Sequence, residues 1–274
     1  MSTGIAIRVI TSLTTLFVAV TVNYQPVGAE TLPKQTSDNL SQKSQQQTNK
    51  LLVAGILKFK AKDYPGAIAE FSKAIELNPN LEKAFYNRAV TYDVYGNKQR
   101  AIDDYTTVIK LNPQNVTSYF NRAISREKIG DKKGALSDFD RVIQLDPQAV
   151  DAYLERGNLL QEIGDLQGAI ASFSEAIKIK PDRADVYLNR GVAKYRLADR
   201  QGAIDDYTLA IKANPNYNLA YNNRAWTKAD LDDQKGAMED YNKAIQLDRS
   251  YYLSYYNRGN IAPTLSPKDR KSVV

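Results

Sequence analysis

The chain is 274 residues long, carries 37 Lys and Arg against 31 Asp and Glu for a net charge of +6, and contains no Cys and no His. Those two absences exclude a thiol nucleophile, a His general base, a Ser-His-Asp arrangement, Cys/His zinc spacings and a disulfide framework. The charge is mild for this length and its signs alternate along the chain, unlike the concentrated basic stripe of a nucleic-acid binder, so no nucleic-acid partner is expected.

Residues 1–29 contain one basic residue, Arg8, and no acid. An apolar stretch from Val9 to Val22 follows, then Gln25-Pro26 and the small-residue site Val27-Gly28-Ala29 before Glu30. That order predicts a secretory signal peptide over 1–29 and an exported protein. The run falls short of the ~20 apolar residues of a spanning helix, and Thr11, Ser12, Thr14, Thr15 and Thr21 dilute it. The alternative is an uncleaved segment, giving a membrane-anchored or cytoplasmic adaptor; membrane contact is expected only in that case. Residues 30–47 are nearly all Gln, Ser, Thr, Lys and Asn. Too little there can be buried to offset ordering entropy, which predicts a flexible polar leader.

From Thr48 the sequence repeats every 34 residues. Pro79, Pro113, Pro147, Pro181 and Pro215 keep that step, as do Arg88, Arg122, Arg156, Arg190, Arg224 and Arg258, and Ala67, Ala101, Ala135, Ala169, Ala203 and Ala237. A fixed period in this range marks an array in which each unit buries its apolar face against its neighbours. Within 82–115, Phe85, Ala89 and Tyr92 recur at helical spacing over Lys83–Tyr95. Gly96-Asn97 breaks the pattern, a second helix is predicted from about Lys98 to Leu111, and Asn112-Pro113 ends it.

These units resemble tetratricopeptide repeats (TPR), whose pattern of aromatic, small, aromatic, Ala, aromatic, Ala and Pro is met here by Phe85, Ala89, Tyr92, Ala101, Tyr105, Val108 and Pro113. It returns as Tyr153, Gly157, Leu160, Ala169, Phe173, Ala176 and Pro181. The resemblance covers 48–262 as six full repeats and a truncated seventh, with residues 263–274 a tail outside the pattern. It implies an all-α, right-handed α-solenoid of helix-turn-helix units, of the exported bacterial type with Asn-Arg-Ala/Gly repeats. It also implies a non-enzymatic scaffold without cofactor or metal that binds a protein or peptide in its groove. Exported relatives of this kind serve assembly of envelope complexes in the periplasm or outside the cell, or of thylakoid-lumen complexes in photosynthetic hosts.

Some units depart from the pattern. Tyr92 is answered by Arg126, Lys194 and Lys228, whose stems are expected to cover apolar surface while the charge reaches water. Lys58 in that slot suggests a solvent-facing first unit, and Arg249 in place of Pro215 predicts a looser turn.

Two columns stand out. Asn87, Asn121, Asn189, Asn223 and Asn257 occupy a slot that in the family looks onto the groove, interrupted by Glu155. A carboxamide offers donor and acceptor to a peptide unit without demanding a sequence; the alternative is that it merely solvates the groove. Tyr86, Phe120 and Trp226, the only Trp, are candidate apolar anchors beside it, although core packing also suits Trp226. The column of Arg88 faces an acidic column, Glu70, Asp104, Asp138, Asp206 and Asp240, broken at Ser172. Inter-helix ion pairs that fix stacking are expected from it. Asp93, Glu127, Asp151, Glu155 and Asp185 suggest an acidic groove for a basic or neutral ligand. The Lys–Asn–Arg clamp of chaperone-binding members is missing, because no unit has Lys in the Tyr86 slot or Arg in the Asn87 slot. Tyr251, Tyr252, Tyr255 and Tyr256 crowd the last unit before Pro263, a candidate surface for self-association or for a partner.

Overall fold

The computed structural model describes residues 35–261, with side chains from residue 42. The expected signal peptide (1–29) and tail (263–274) lie outside the described residues. Among those described there are thirteen α-helices and no strand: α1 Gln35–Lys60, α2 Tyr64–Leu77, α3 Glu82–Tyr95, α4 Lys98–Leu111, α5 Val116–Lys128, α6 Lys132–Leu145, α7 Val150–Ile163, α8 Leu166–Ile179, α9 Ala184–Arg196, α10 Arg200–Ala213, α11 Asn218–Asp230, α12 Gln234–Leu247 and α13 Tyr252–Ile261. Odd-numbered helices open each repeat and even-numbered ones close it. The chain forms two compact units that divide between Pro147 and Gln148, with α1–α6 in one and α7–α13 in the other. In each unit every helix packs on its neighbours in chain order.

One boundary differs from expectation. Residues 35–47, expected as a structureless leader, form the first half of α1, with Gln42–Gln47 exposed. Once the turn at buried Thr48 is packed, adding upstream residues needs no new nucleus, and Gln, Lys and Ser are acceptable helix formers.

The punctuation repeats as strictly as the sequence. Asp63, Asn97, Asp131, Asp165, Asp199 and Asp233 cap the second helices, each accepting the N–H three residues on. The Asp caps hold Gly N–H groups at 2.9 Å, and Asn97 holds that of Arg100 at 3.2 Å. The residue immediately before each cap is left-handed: Lys62, Gly96, Gly130, Gly164, Ala198 and Asp232 all have positive φ, between 62° and 95°. The turn expected to loosen at Arg249 does not. Asp248 takes the same extended C-cap conformation as Asn214 and accepts the Ser250 N–H at 2.9 Å, as Asn214 accepts that of Asn216 at 3.1 Å. The side-chain acceptor, rather than the proline ring, fixes this turn.

The core follows the repeat. Ala67, Ala101, Ala135, Ala169, Ala203 and Ala237 are all fully buried, beside Phe71, Tyr105, Phe139, Phe173, Tyr207 and Tyr241 from the same second helices. Each ring lies against a small residue of the preceding first helix. A Cβ on Gly157 would stand 2.5 Å from the Phe173 ring, and one on Gly191 2.6 Å from that of Tyr207.

Polar contacts then set how the helices stack. Arg88, Arg122, Arg190 and Arg224 each make two hydrogen bonds to the carboxylate sixteen residues on, in Asp104, Asp138, Asp206 and Asp240, at 2.6–2.9 Å. Their remaining guanidinium nitrogen donates to the hydroxyl sixteen residues back, in Ser72, Thr106, Ser174 and Thr208. Each also lies over the ring three residues before it, 5.6 Å from the centroids of Phe85, Tyr119 and Tyr221 and 5.8 Å from that of Tyr187. One side chain therefore ties its own first helix to the second helices of two successive repeats. Where the acid is missing, Arg156 bonds Ser172 at 2.9 Å.

The cations in the Tyr92 slot join the same clusters, each with part of its side chain still in water. Arg126, Lys194 and Lys228 pair with Asp138, Asp206 and Asp240 at 2.7–2.9 Å, and Lys58 pairs with Glu70 at 2.8 Å. A buried carboxylate with two cations is better compensated than one with a single partner.

That difference orders two substitutions. Arg88→Ala leaves Asp104 buried without its guanidinium and should cost about 3–5 kcal/mol. Arg122→Ala leaves Asp138 its partner Arg126 and should cost distinctly less; urea melts of both variants test the ranking, and equal losses would refute it. Ala198→Gly should raise the melting temperature, because relieving a left-handed Ala is worth ~1–2 kcal/mol and added chain entropy returns less than that.

Candidate functional site

The first helices carry the expected site residues, and burial sorts them. Asn87 and Asn223 are 0% exposed, Asn257 2% and Asn189 8%, so four of the five column members are packed away instead of lying open along a groove; Asn121 is half-buried. Much of the column bonds within the array. Asn121 Nδ2 donates to Tyr86 Oη at 3.2 Å, and the buried Tyr86 ring meets Tyr105 edge-on. Asn189 Nδ2 donates to Asn158 Oδ1 at 3.0 Å, and Asn158 in turn donates to Glu155 at 3.1 Å. Asn222 donates to Asn223 and accepts from Ser254 Oγ. Phe120 is half-buried with its ring edge on Phe139.

Two members remain different. The carboxamides of Asn87 and Asn257 are buried with no hydrogen-bond partner at either end. An unsatisfied buried amide costs about 1–3 kcal/mol, so each calls for an explanation. For Asn257 the surroundings supply one. It lines a cleft of about 250 Å³ together with Trp226, Asp230 and Tyr241, and with Asn260 and Ile261 of α13. The Tyr241 hydroxyl is also buried without a partner. Burial pushes the Tyr241 phenol far above its ordinary range, so it stays protonated and able to donate.

Trp226 is half-buried, and its indole edge is fixed by a chain of bonds. Nε1 donates to Tyr195 Oη at 2.7 Å, and Tyr195 donates to Asp230 at 3.2 Å. Asp230 also accepts from Arg200 Nε at 2.6 Å, while the Arg200 guanidinium lies 4.0 Å over the Tyr195 ring. The indole is thus held at the cleft instead of being sealed in the core.

Of the expected site residues, the structure brings Trp226 and Asn257 to one cleft, and Tyr86 and Asn121 into one bonded pair. Asn87, Phe120, Asn189 and Asn223 belong to neither. Tyr241, Tyr195 and Asp230 were not foreseen. Tyr241 stands in the same register as fully buried core rings, and nothing in its spacing separates it from them.

The acidic groove is also revised. Asp93 is 6% exposed, pairs with Lys98 at 2.9 Å and accepts from Ser125 at 2.7 Å. Asp151 and Asp185 share Arg183, at 2.8 and 2.7 Å. These three carboxylates therefore share two cations, which lowers the negative charge of the face without removing it.

Profiles described as TPR or tetratricopeptide repeats match residues 55–93, 82–115, 117–149, 157–197, 184–217 and 219–251. No curated protein matches the chain. Among solved structures, a tetratricopeptide repeat protein from Parabacteroides merdae aligns over 83% of this chain and 89% of its own, with 19% identity and a TM-score of 0.67. MamA aligns over 61% and 92% with 24% identity and a TM-score of 0.59. YrrB, described as a TPR protein with an unusual peptide-binding site, aligns over 69% and 97% with 18% identity and a TM-score of 0.59. At these identities the likeness is one of fold.

Proposed function

Because the chain belongs to the tetratricopeptide repeat family, we propose that it is a non-enzymatic scaffold that binds an extended peptide segment of a partner protein, anchored at the Trp226–Asn257 cleft. The observation that carries this reading is the Asn257 carboxamide, 2% exposed and bonded at neither end, on the wall of that cleft. A peptide unit presents one N–H and one C=O, and the amide side chain answers both. The Tyr241 hydroxyl adds a donor for a second carbonyl, and the fixed indole face offers apolar area to a side chain of the bound segment. The one carboxylate lining the cleft, Asp230, is paired with Arg200, which favours an uncharged segment over a basic one. The peptide-binding site ascribed to YrrB is a precedent for such use of the fold.

The residue order of 1–29 supports export, with the scaffold serving assembly of an envelope or lumenal complex. The intact mass of protein recovered from its own host should correspond to a chain beginning at Glu30; a mass beginning at Met1 would favour the anchored or cytoplasmic adaptor.

Trp226, as the only Trp, reports on its own cleft. Twelve-residue peptides selected from a displayed library on the full chain should change Trp226 fluorescence on titration. Asn257→Leu should weaken their binding by about tenfold or more while raising the melting temperature, since the unsatisfied amide is gone. Unchanged affinity in that variant would remove the cleft from the binding site.

A further inference from the structure

The last described helix, α13, presents to solvent a face that α9 buries. On α9, Tyr187, Leu188, Gly191 and Val192 occupy successive positions of one stripe and are all buried. Their counterparts on α13, Tyr255, Tyr256, Gly259 and Asn260, are all exposed, and Tyr252 continues the stripe one turn earlier. Spacing of three and four residues places these on a single helical face. Tyr252, Tyr255 and Tyr256 are 71%, 40% and 62% exposed.

Gly259 shows what the face lacks. The glycines in its register, Gly55, Gly157 and Gly191, each have the aromatic ring of the next helix (Phe71, Phe173 or Tyr207) within 2.4–2.6 Å of where a Cβ would stand. Around Gly259 nothing described comes within 4 Å. It is a ring-sized seat without a ring. Residues further along this chain do not suit it in the manner of the repeat. The repeat's phase puts Lys271 where Ala67 through Ala237 are each 0% exposed, and a Lys there would have to bury its ammonium.

We infer that the seat is filled by a second copy, two chains pairing through α13 about a two-fold axis. Knob and hole lie on the same face: the tyrosines are the rings and Gly259 is the seat, which is the self-complementarity that an isologous contact requires. A two-fold axis across the helix sets the partner helix antiparallel, the arrangement of the two helices in every repeat hairpin. No like charges oppose the pairing. The one charged side chain of α13, Arg258, bonds Asn242 at 2.8 Å and lies over the Tyr255 ring. The tyrosine hydroxyls stay at the rim, where water can serve them.

The contact is small. At roughly 200 Å² per tyrosine, the exposed fractions leave about 350 Å² of the three rings to cover on each copy. That lies below the ~800 Å² per partner of a stable interface, so dissociation in the range of tens of micromolar is expected.

Sedimentation velocity of the full chain from about 1 to 200 µM tests this, because mass action must shift a weak dimer across that range. The wild type should move from monomer to dimer. Gly259→Leu, which fills the seat, and Tyr256→Ser, which removes a ring, should both stay monomeric. Thermal melts by circular dichroism act as the folding control. Gly259→Leu should melt no lower than wild type, whereas Gly157→Leu, forced against the Phe173 ring, should melt well below it. A wild type that is monomeric throughout overturns the inference and leaves the face to another protein or to this chain's own residues. So does a dimer that survives both substitutions, and so does a Gly259→Leu melt as low as that of Gly157→Leu.

Discussion

The array depends on one arginine per repeat. A guanidinium has five N–H groups in a fixed fork, and here the fork is divided between two second helices, with its flat face on an aromatic ring. Arg88 shows the arrangement: two bonds forward to Asp104, one back to Ser72, and the Phe85 ring beneath it. Apolar packing of Ala and ring residues brings the helices together but tolerates some sliding. Bonds of fixed direction to both neighbours do not. A Lys at that position would supply charge without the fork; the Lys residues that join these clusters, Lys194 and Lys228, come from the next turn and add charge at the carboxylate.

With stacking settled elsewhere, the inner first-helix positions are free to be polar. Asn158, Asn189, Asn222, Asn223 and Ser254 spend that freedom on one another. Asn257 does not, and neither does the Tyr241 hydroxyl beside the same cleft. Polar groups left unsatisfied in an otherwise well-bonded repeat lower stability. Their placement together, against an indole whose orientation is fixed through Tyr195 and Asp230, is what supports the proposed binding site over a packing defect.

The two ends of a repeat array are where its rule of mutual burial fails. At the start, Leu57 is 61% exposed on α1. At the far end the described chain closes with a first helix, α13, whose face keeps the ring-and-glycine chemistry of an interior repeat. A polar cap would replace those tyrosines. Their retention, with an open seat at Gly259, is what the proposed pairing of two copies rests on.

The sequence alone determined the architecture, because a period of 34 residues with fixed Ala, ring and turn positions can be satisfied by one helix-hairpin stacking and hardly any other. Helix limits at Tyr95, Lys98 and Leu111 were legible for the same reason: the breakers are local. The pairing of Arg with Asp sixteen residues on could be read from two columns in step, of which only the acidic one lapses, at Ser172. The site was far less legible. Whether an Asn in one register bonds a neighbour, as Asn189 does, or is left unpaired, as Asn257 is, depends on which side chain the next repeat brings against it, and that is a contact between segments some thirty residues apart. Tyr241 reads as core by every local rule, and its hydroxyl meets a cleft only because α13 follows. That Asp93 pairs with Lys98, and that Asp151 and Asp185 share Arg183, could not be read from the acids alone. Periodicity encodes what each repeat shares with the others; tertiary structure decided what the exceptions do, since their partners lie in other repeats.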